Sequence, residues 1–191
     1  MKQLRAIVFI KEDHDYAEHA LKVVHSYFEN ITLNPEEHEI GTLTPADFVI
    51  SVLNPQKISK FFLTGLNFNI HAAPPWYPGW GGIARALLEK QRFHGVCAHK
   101  MTENYDEGEL IATKYFAIRN LNSYKSTYEQ TMASVLECLD EACIHLLLRH
   151  ASKKTFDWTG EPMTMEKVLN WLPTLNHNWK DDAIKDYSVR K

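Results

Sequence analysis

The chain has 191 residues, enough for one domain with a substantial core, and its usage is ordinary for a globular protein, 45% hydrophobic and 24% charged. Its 24 acidic residues slightly outnumber the 21 basic ones, a net charge of -3 that argues against binding nucleic acid through a broad basic surface. No apolar run approaches the ~20 residues of a membrane helix, and three irregularly spaced cysteines (Cys97, Cys138, Cys143) make no disulfide framework, so they are expected reduced and buried, in the cytoplasm.

Ala6 to Ile10 is a short apolar run that predicts a buried first strand and is too short for a signal peptide. Asp15, with Glu18 three residues on, predicts a capped helix whose apolar stripe is Ala17, Ala20, Leu21, Val24 and Phe28. Between them, Lys11-Glu12-Asp13-His14-Asp15 has three acids and no glycine. A dinucleotide site wants Gly-rich backbone and a helix start open to phosphate, so that turn argues against a nicotinamide cofactor. Ile31 to Leu33 predicts a short strand and Phe48 to Leu53 a central one. Asn54-Pro55 then predicts an N-cap and first-turn proline of a helix that stops at Gly65.

Leu66 to His71 alternates, with Leu66, Phe68 and Ile70 on one face and Asn67, Asn69 and His71 on the other. The loop that follows, AAPPWYPGWGG, can continue neither helix nor strand, so the chain turns just after His71. Ile83 to Gln91 predicts a short helix, and residues 95–101 and 110–118 predict two strands joined by the acidic loop Thr102 to Glu109. Ser126 with Glu129 predicts a capping box. The long amphipathic helix behind it carries Tyr128, Met132, Val135, Leu136, Leu139, Cys143, Leu146 and Leu147 and ends near His150. Residues 151–191 predict a tail with one short helix at Met165 to Leu172, packed back by Trp158, Trp171 and Trp179 on a domain spanning 1–150. Short strands alternating with helices imply an α/β fold with a mostly parallel central sheet, a C-terminal hairpin pair and a long packing helix. Ligands of such sheets sit at the carboxyl ends of strands, where His71 falls.

Several clusters invite a chemical reading, each with a plainer one beside it. Ten histidines suggest a metal, but His14/His19 and His94/His99 are five apart, and neither HExxH nor CxxC occurs; no metal is expected. Cys138 and Cys143 read as core of the long helix. Trp76, Tyr77 and Trp80 are either a stacking platform for a ligand ring or a cover for their own loop. Arg85, Lys90 and Arg92 read as solvated helix charges, with a phosphate role the lesser option. The pair Asn69 and His71 is either the wet face of an edge strand or, with an acid from 102–109, a catalytic cluster. Acyl transfer to an amine passes through a tetrahedral intermediate with an oxyanion, which an amide N–H and an imidazole N–H can stabilise. A carboxylate can hold the imidazole's tautomer and relay the amine's proton. No serine or cysteine lies in this cluster, so direct attack without a covalent enzyme intermediate is the simpler scheme.

Asn69-x-His71, then Tyr77, Pro78 and Gly79, then Gly95-Val96 with His99, then Asp106 and Gly108 leading into a strand, resemble the 10-formyltetrahydrofolate-dependent formyltransferases over about residues 47–118. The PPWYPGWGG loop and Trp158-x-Gly160-x-Pro162 look most like the nucleotide-sugar N-formyltransferases of the GDP-perosamine type, which serve lipopolysaccharide biosynthesis. The resemblance implies a Rossmann-like fold and a catalytic trio of Asn69, His71 and Asp106. It implies a reduced-folate site formed by Leu53, Asn54, Pro55, Met101, Thr102 and Tyr105, and acceptor contacts from Trp76, Tyr77 and Gly79. The implied partners are small molecules, 10-formyltetrahydrofolate and an amino-sugar nucleotide, not nucleic acid or membrane. The acidic first loop speaks against a glycinamide ribonucleotide acceptor, and the lack of a basic surface against methionyl-tRNA. Ala72-Ala73 depart from the family's usual Pro and small residue after the histidine. Other amine acceptors, or a non-catalytic folate- or nucleotide-binding homologue, are the alternatives. The long helix can pack on its own sheet or on a second subunit, as in a homodimer.

Overall fold

A computed structural model describes residues 4–39, 48–63, 65–148 and 158–189. Its strands are β1 (Arg5–Phe9), β2 (Asn30–Leu33), β3 (Phe48–Val52), β4 (Leu66–His71), β5 (Phe93–His99) and β6 (Leu110–Ala117), in one sheet ordered β2-β1-β3-β4-β5-β6. The first four run parallel; β5 is antiparallel to β4, and β6 to β5. This is the α/β arrangement expected, with the hairpin pair at one edge.

Strand periodicity decides which side chains meet. Val8, Ile50, Phe68 and Val96 point to one face, where α1 (Ala17–His25) and α3 (Tyr124–Leu147) cover them with Ala20, Val24, Met132, Val135 and Leu139. Alpha-3 therefore packs on its own sheet. The opposite face holds a smaller cluster of Ile7, Val49, Phe62 and Met101. A third cluster joins α2 (Gly82–Leu88) to the tail, with Ile83, Leu87 and Tyr124 against Val168, Leu172, Trp179 and Tyr187. The tail contains α4 (Met165–Trp171) and a second helix absent from the sequence reading, α5 (Lys180–Val189). The boundary expected at 150/151, and the helix end near His150, lie outside the described residues.

Local signals were less reliable than periodicity. Asp15 caps nothing: Tyr16 holds the N-cap position of α1 without a side-chain bond, and its N–H donates instead to His14 Nδ1 at 3.2 Å. Ser123, not Ser126, caps α3, accepting from the Ser126 N–H at 3.2 Å, because the extended backbone that an N-cap needs occurs at Ser123. Asn54-Pro55 opens no helix. The Asn54 carboxamide closes on Gln56, accepting its N–H at 3.1 Å and donating to its carbonyl at 3.0 Å, and this local turn competes with helix initiation. A single 3-10 turn, Lys60–Phe62, follows. The element at 83–91 is one residue displaced and shorter, and β5 spans 93–99 rather than 95–101.

Candidate active site

Asn69 stands directly opposite His99 in the β4–β5 register, on the face away from α3. Across such a pair side chains lie within touching distance, and the Asn69 side-chain nitrogen is 3.2 Å from His99 Nε2. Two residues on, His71 ends β4 on that face. Asn67, two residues earlier, is buried as a clamp: its Oδ1 accepts the Met101 N–H at 2.8 Å and its Nδ2 donates to the Leu63 carbonyl at 2.9 Å. The polar face of this strand is therefore spent on specific partners rather than on solvent.

The acidic loop delivers the third group. Lys100 N–H donates to the Glu109 carbonyl at 2.8 Å, closing the loop's base, and Gly108 passes so close that a Cβ there would lie 1.6 Å from the Lys100 oxygen. Asp106 at its inner bend adopts φ of 49°, a left-handed conformation that side-chain-bearing residues seldom take and that aspartate tolerates better than most. Its Oδ2 accepts the Gly79 N–H at 2.7 Å and lies 3.4 Å from His71 Nδ1, while its Oδ1 lies 3.3 Å from His99 Nε2. Burial pushes this carboxyl up. His71, His99 and the Gly79 N–H outweigh that and hold it well below the usual carboxylate range, so it is ionised.

His71 Nε2 is 2.9 Å from the Tyr77 carbonyl, so both its ring nitrogens face acceptors. Trp158 closes the cluster from the tail, its ring edge-on to His71 (5.6 Å) and His99 (5.0 Å) and its indole N–H donating to the Gly108 carbonyl at 2.7 Å. The trio expected from sequence thus gathers around Asp106. The two donors do not share one aim in this geometry, since the Asn69 amide is turned to His99 and His71 Nε2 to Tyr77.

These groups form one wall of a cavity of about 350 Å³. Leu53, Asn54, Pro55, Met101, Thr102 and Tyr105, the residues of the implied folate site, all line it. Leu53 has φ of 53°, an outlier for a bulky residue, imposed where β3 turns into that wall. Lys11, His14, Trp80, Met163 and Tyr187 line the same cavity. Of the acidic first loop, therefore, the two basic members reach the cavity, while Glu12 accepts from Asn34 Nδ2 at 2.9 Å. Gly79 lines the cavity and serves Asp106.

Trp76 and Tyr77 are placed elsewhere. The Trp76 ring stacks on Tyr115 at 5.6 Å and 9°, and Tyr77 is buried, its hydroxyl donating to Glu89 and its ring beneath the Arg85 guanidinium at 4.6 Å. A turn closed by Tyr77 N–H on the Pro74 carbonyl directs both rings away from the site. Of the three rings, Trp80 lines the cavity and Trp76 and Tyr77 do not. His99 and Trp158, which stood in the motifs without an assigned role, join the site together with the Tyr77 carbonyl. Arg85 stays with Tyr77, and no described cluster of His, Cys, Asp or Glu has metal-ligating geometry.

Residues 17–141, well over half the chain, match the family model described as formyl transferase. The chain is 22% identical over 170 residues to GDP-perosamine N-formyltransferase of Brucella melitensis, covering 86% of this chain and 64% of that protein. It is 29% identical over 116 residues to methionyl-tRNA formyltransferase of Fervidobacterium nodosum, covering 60% of this chain and 37% of that one. It therefore spans less than two thirds of the curated relatives it matches. Among solved structures it superposes on the formyltransferase PseJ from Anoxybacillus kamchatkensis, in complex with UDP-4,6-dideoxy-4-formamido-L-AltNAc and tetrahydrofolate, with a TM-score of 0.74 at 18% identity, over 92% of this chain and 94% of that one. With the family model matching well over half of its length, the chain belongs to the formyl transferase family.

Proposed function

We propose that the protein is an N-formyltransferase that moves a formyl group from 10-formyltetrahydrofolate to the amine of a nucleotide-linked amino sugar. The observation that carries this reading is a buried, ionised Asp106 held between His71 and His99, with Asn69 beside them, on the wall of a cavity of about 350 Å³. The relatives and the solved neighbour whose names include sugar N-formylation point the same way. A reduced pterin fits against Leu53, Pro55, Ile58, Leu63 and Met101, apolar members of the lining accompanied by the polar Asn54 and Thr102. Trp80 and the basic Lys11 and His14 in the same lining suit an anionic nucleotide better than the first loop's three acids suggest.

Chemically, the acceptor amine attacks the formyl carbon directly, forming the new C–N bond. Negative charge develops on the formyl oxygen, where the N–H groups of Asn69 and His71 stabilise it once aimed there. Asp106 orients His71 and, directly or through water, takes the proton that the attacking amine loses and passes it to the folate nitrogen as the old C–N bond breaks. No side chain of the site need become acylated. Three buried free thiols suit a reducing compartment, and we place the protein in the cytoplasm.

The test is to incubate the purified chain with the formyl donor and a panel of nucleotide-linked amino sugars, glycinamide ribonucleotide and methionyl-tRNA, reading products by mass. The proposal expects a gain of one formyl group on an amino sugar. Formylation of a non-sugar acceptor alone overturns the acceptor assignment, and folate binding without any transfer overturns the enzyme.

A further inference from the structure

The contact between Asn69 and His99 does not balance in a single protonation state. His99 Nδ1 lies 3.0 Å from the Lys100 carbonyl oxygen, which can only accept, so Nδ1 carries a proton. Nε2 then meets two opposite demands: the Asn69 NH2 at 3.2 Å, which can only donate, and Asp106 Oδ1 at 3.3 Å, which as a carboxylate can only accept. A lone pair on Nε2 satisfies Asn69 and opposes Asp106. A proton on Nε2 satisfies Asp106 and opposes the NH2. The conflict is relieved by turning the Asn69 carboxamide through 180°, which exchanges two groups of nearly equal size.

We propose that His99 is a positioning residue whose proton sets the direction of the Asn69 amide. When Nε2 is protonated, Asn69 offers its carbonyl to His99 and turns its NH2 into the cavity. When Nε2 is bare, the NH2 is spent on His99 and the carbonyl faces the cavity, where it repels a developing oxyanion. This rests on the reading of Asn69 as the donor to the formyl oxygen. The switch is local: β4 contributes Asn69 and His71, the loop contributes Asp106, and the tail presents the uncharged edge of Trp158. Cys97, two residues before His99, stays a thiol because burial pushes its pKa up, and Leu110 opposite His99 on β6 is apolar. Asp106 stays ionised through its two imidazoles and the Gly79 N–H, so the one proton that decides the amide's direction is on His99 Nε2.

The test uses the whole chain labelled with 15N. Over a pH series, the Asn69 side-chain NH2 resonances are expected to move with the same midpoint as the His99 ring nitrogens. Resonances that stay fixed through the His99 titration, or that follow His71 instead, overturn the proposal. In the formyl-transfer assay, kcat falls by a factor on the order of 10² as pH rises through that midpoint, the loss of one oxyanion donor, while KM for the folate donor holds. His99→Gln, whose amide can keep the Asn69 carbonyl engaged at any pH, loses this alkaline fall; His99→Leu is slow at every pH. A wild-type rate without the alkaline fall, or a fall that persists in His99→Gln, also overturns it. The wild-type resonances decide the matter even where a variant does not fold. If the wild type transfers no formyl group at any pH, the proposed function fails, and the resonances still report whether His99 turns Asn69.

Discussion

Two buried histidines on β5, five residues apart, have opposite fates. His94 lies against the Tyr77 ring and edge-on to Phe116, and among the described residues neither of its ring nitrogens finds a hydrogen-bond partner. Burial first, and the charge of His71 second, push its pKa down to about 3, against a weak opposing pull from the Ala72 backbone, so it is neutral. His99 is just as buried, yet a carbonyl, a carboxamide and a carboxylate surround it. Burial among aromatic rings leaves His94 neutral, whereas equal burial beside an ionised carboxylate gives His99 polar partners at both ring nitrogens. The odd separation puts them on opposite faces of the strand, so one β-strand carries both environments.

The largest expected break in this comparison is on the His99 side. His71→Ala removes an oxyanion donor and a partner of Asp106, and turnover should fall by roughly two or more orders of magnitude. His94→Leu should leave turnover within a few-fold in the same assay, because nothing on His94 reaches the cavity. Should the two variants lose activity equally, the division fails.

A second break is steric. Gly108→Ala sets a Cβ on the Lys100 carbonyl at the base of the Asp106 loop. We expect destabilisation of roughly 1–3 kcal/mol, as overpacking generally gives, seen as a lower urea midpoint, with turnover lost as Asp106 shifts.

The third concerns acid. A histidine whose folded pKa is depressed is protonated more readily in the unfolded chain, so stability is lost as pH falls. Between the ordinary histidine value and about 3, His94 should contribute a slope of up to about 1.4 kcal/mol per pH unit. Asp106 works in the same direction from the ordinary carboxylate value downward, because its stabilisation is lost as pH falls toward and through its depressed folded value. Urea midpoints measured against pH should therefore show a shallower acid limb in His94→Leu than in wild type. An unchanged limb would mean that His94 is not the group that titrates.

The smallest effect is at the tail. Trp158→Phe keeps an aromatic edge over both imidazoles but loses the bond to the Gly108 carbonyl, worth about 1 kcal/mol.

The sequence already carried the parts of the fold that depend on periodicity. Phe68 and Ile70 go to the core and Asn69 and His71 to the site, as a period of two requires, and α3 follows its apolar stripe. End signals misled because they are short and interchangeable: Asp15, Ser126 and Asn54 each have good capping chemistry, yet the chain turned at Tyr16, Ser123 and Gln56. Asn69, His71 and Asp106 were legible through their motif. His99 was not legible as their partner, since its role depends on standing opposite Asn69 in an antiparallel register that composition does not encode. Trp158 reaches Gly108 from a separate segment, and no local pattern announces that contact. Trp76 and Tyr77 were misplaced because a Pro-rich loop tells that the chain turns, not which rings face inward.

The central claim is that one carboxylate between two imidazoles organises transfer of a formyl group to an amine. It is tested most directly by comparing wild type with Asp106→Asn in formyl transfer and, on the same preparations, in binding of a reduced-folate analogue. The account predicts similar folate affinity and a fall in turnover of about 10² or more in the variant. A variant that turns over within a few-fold of wild type would contradict it.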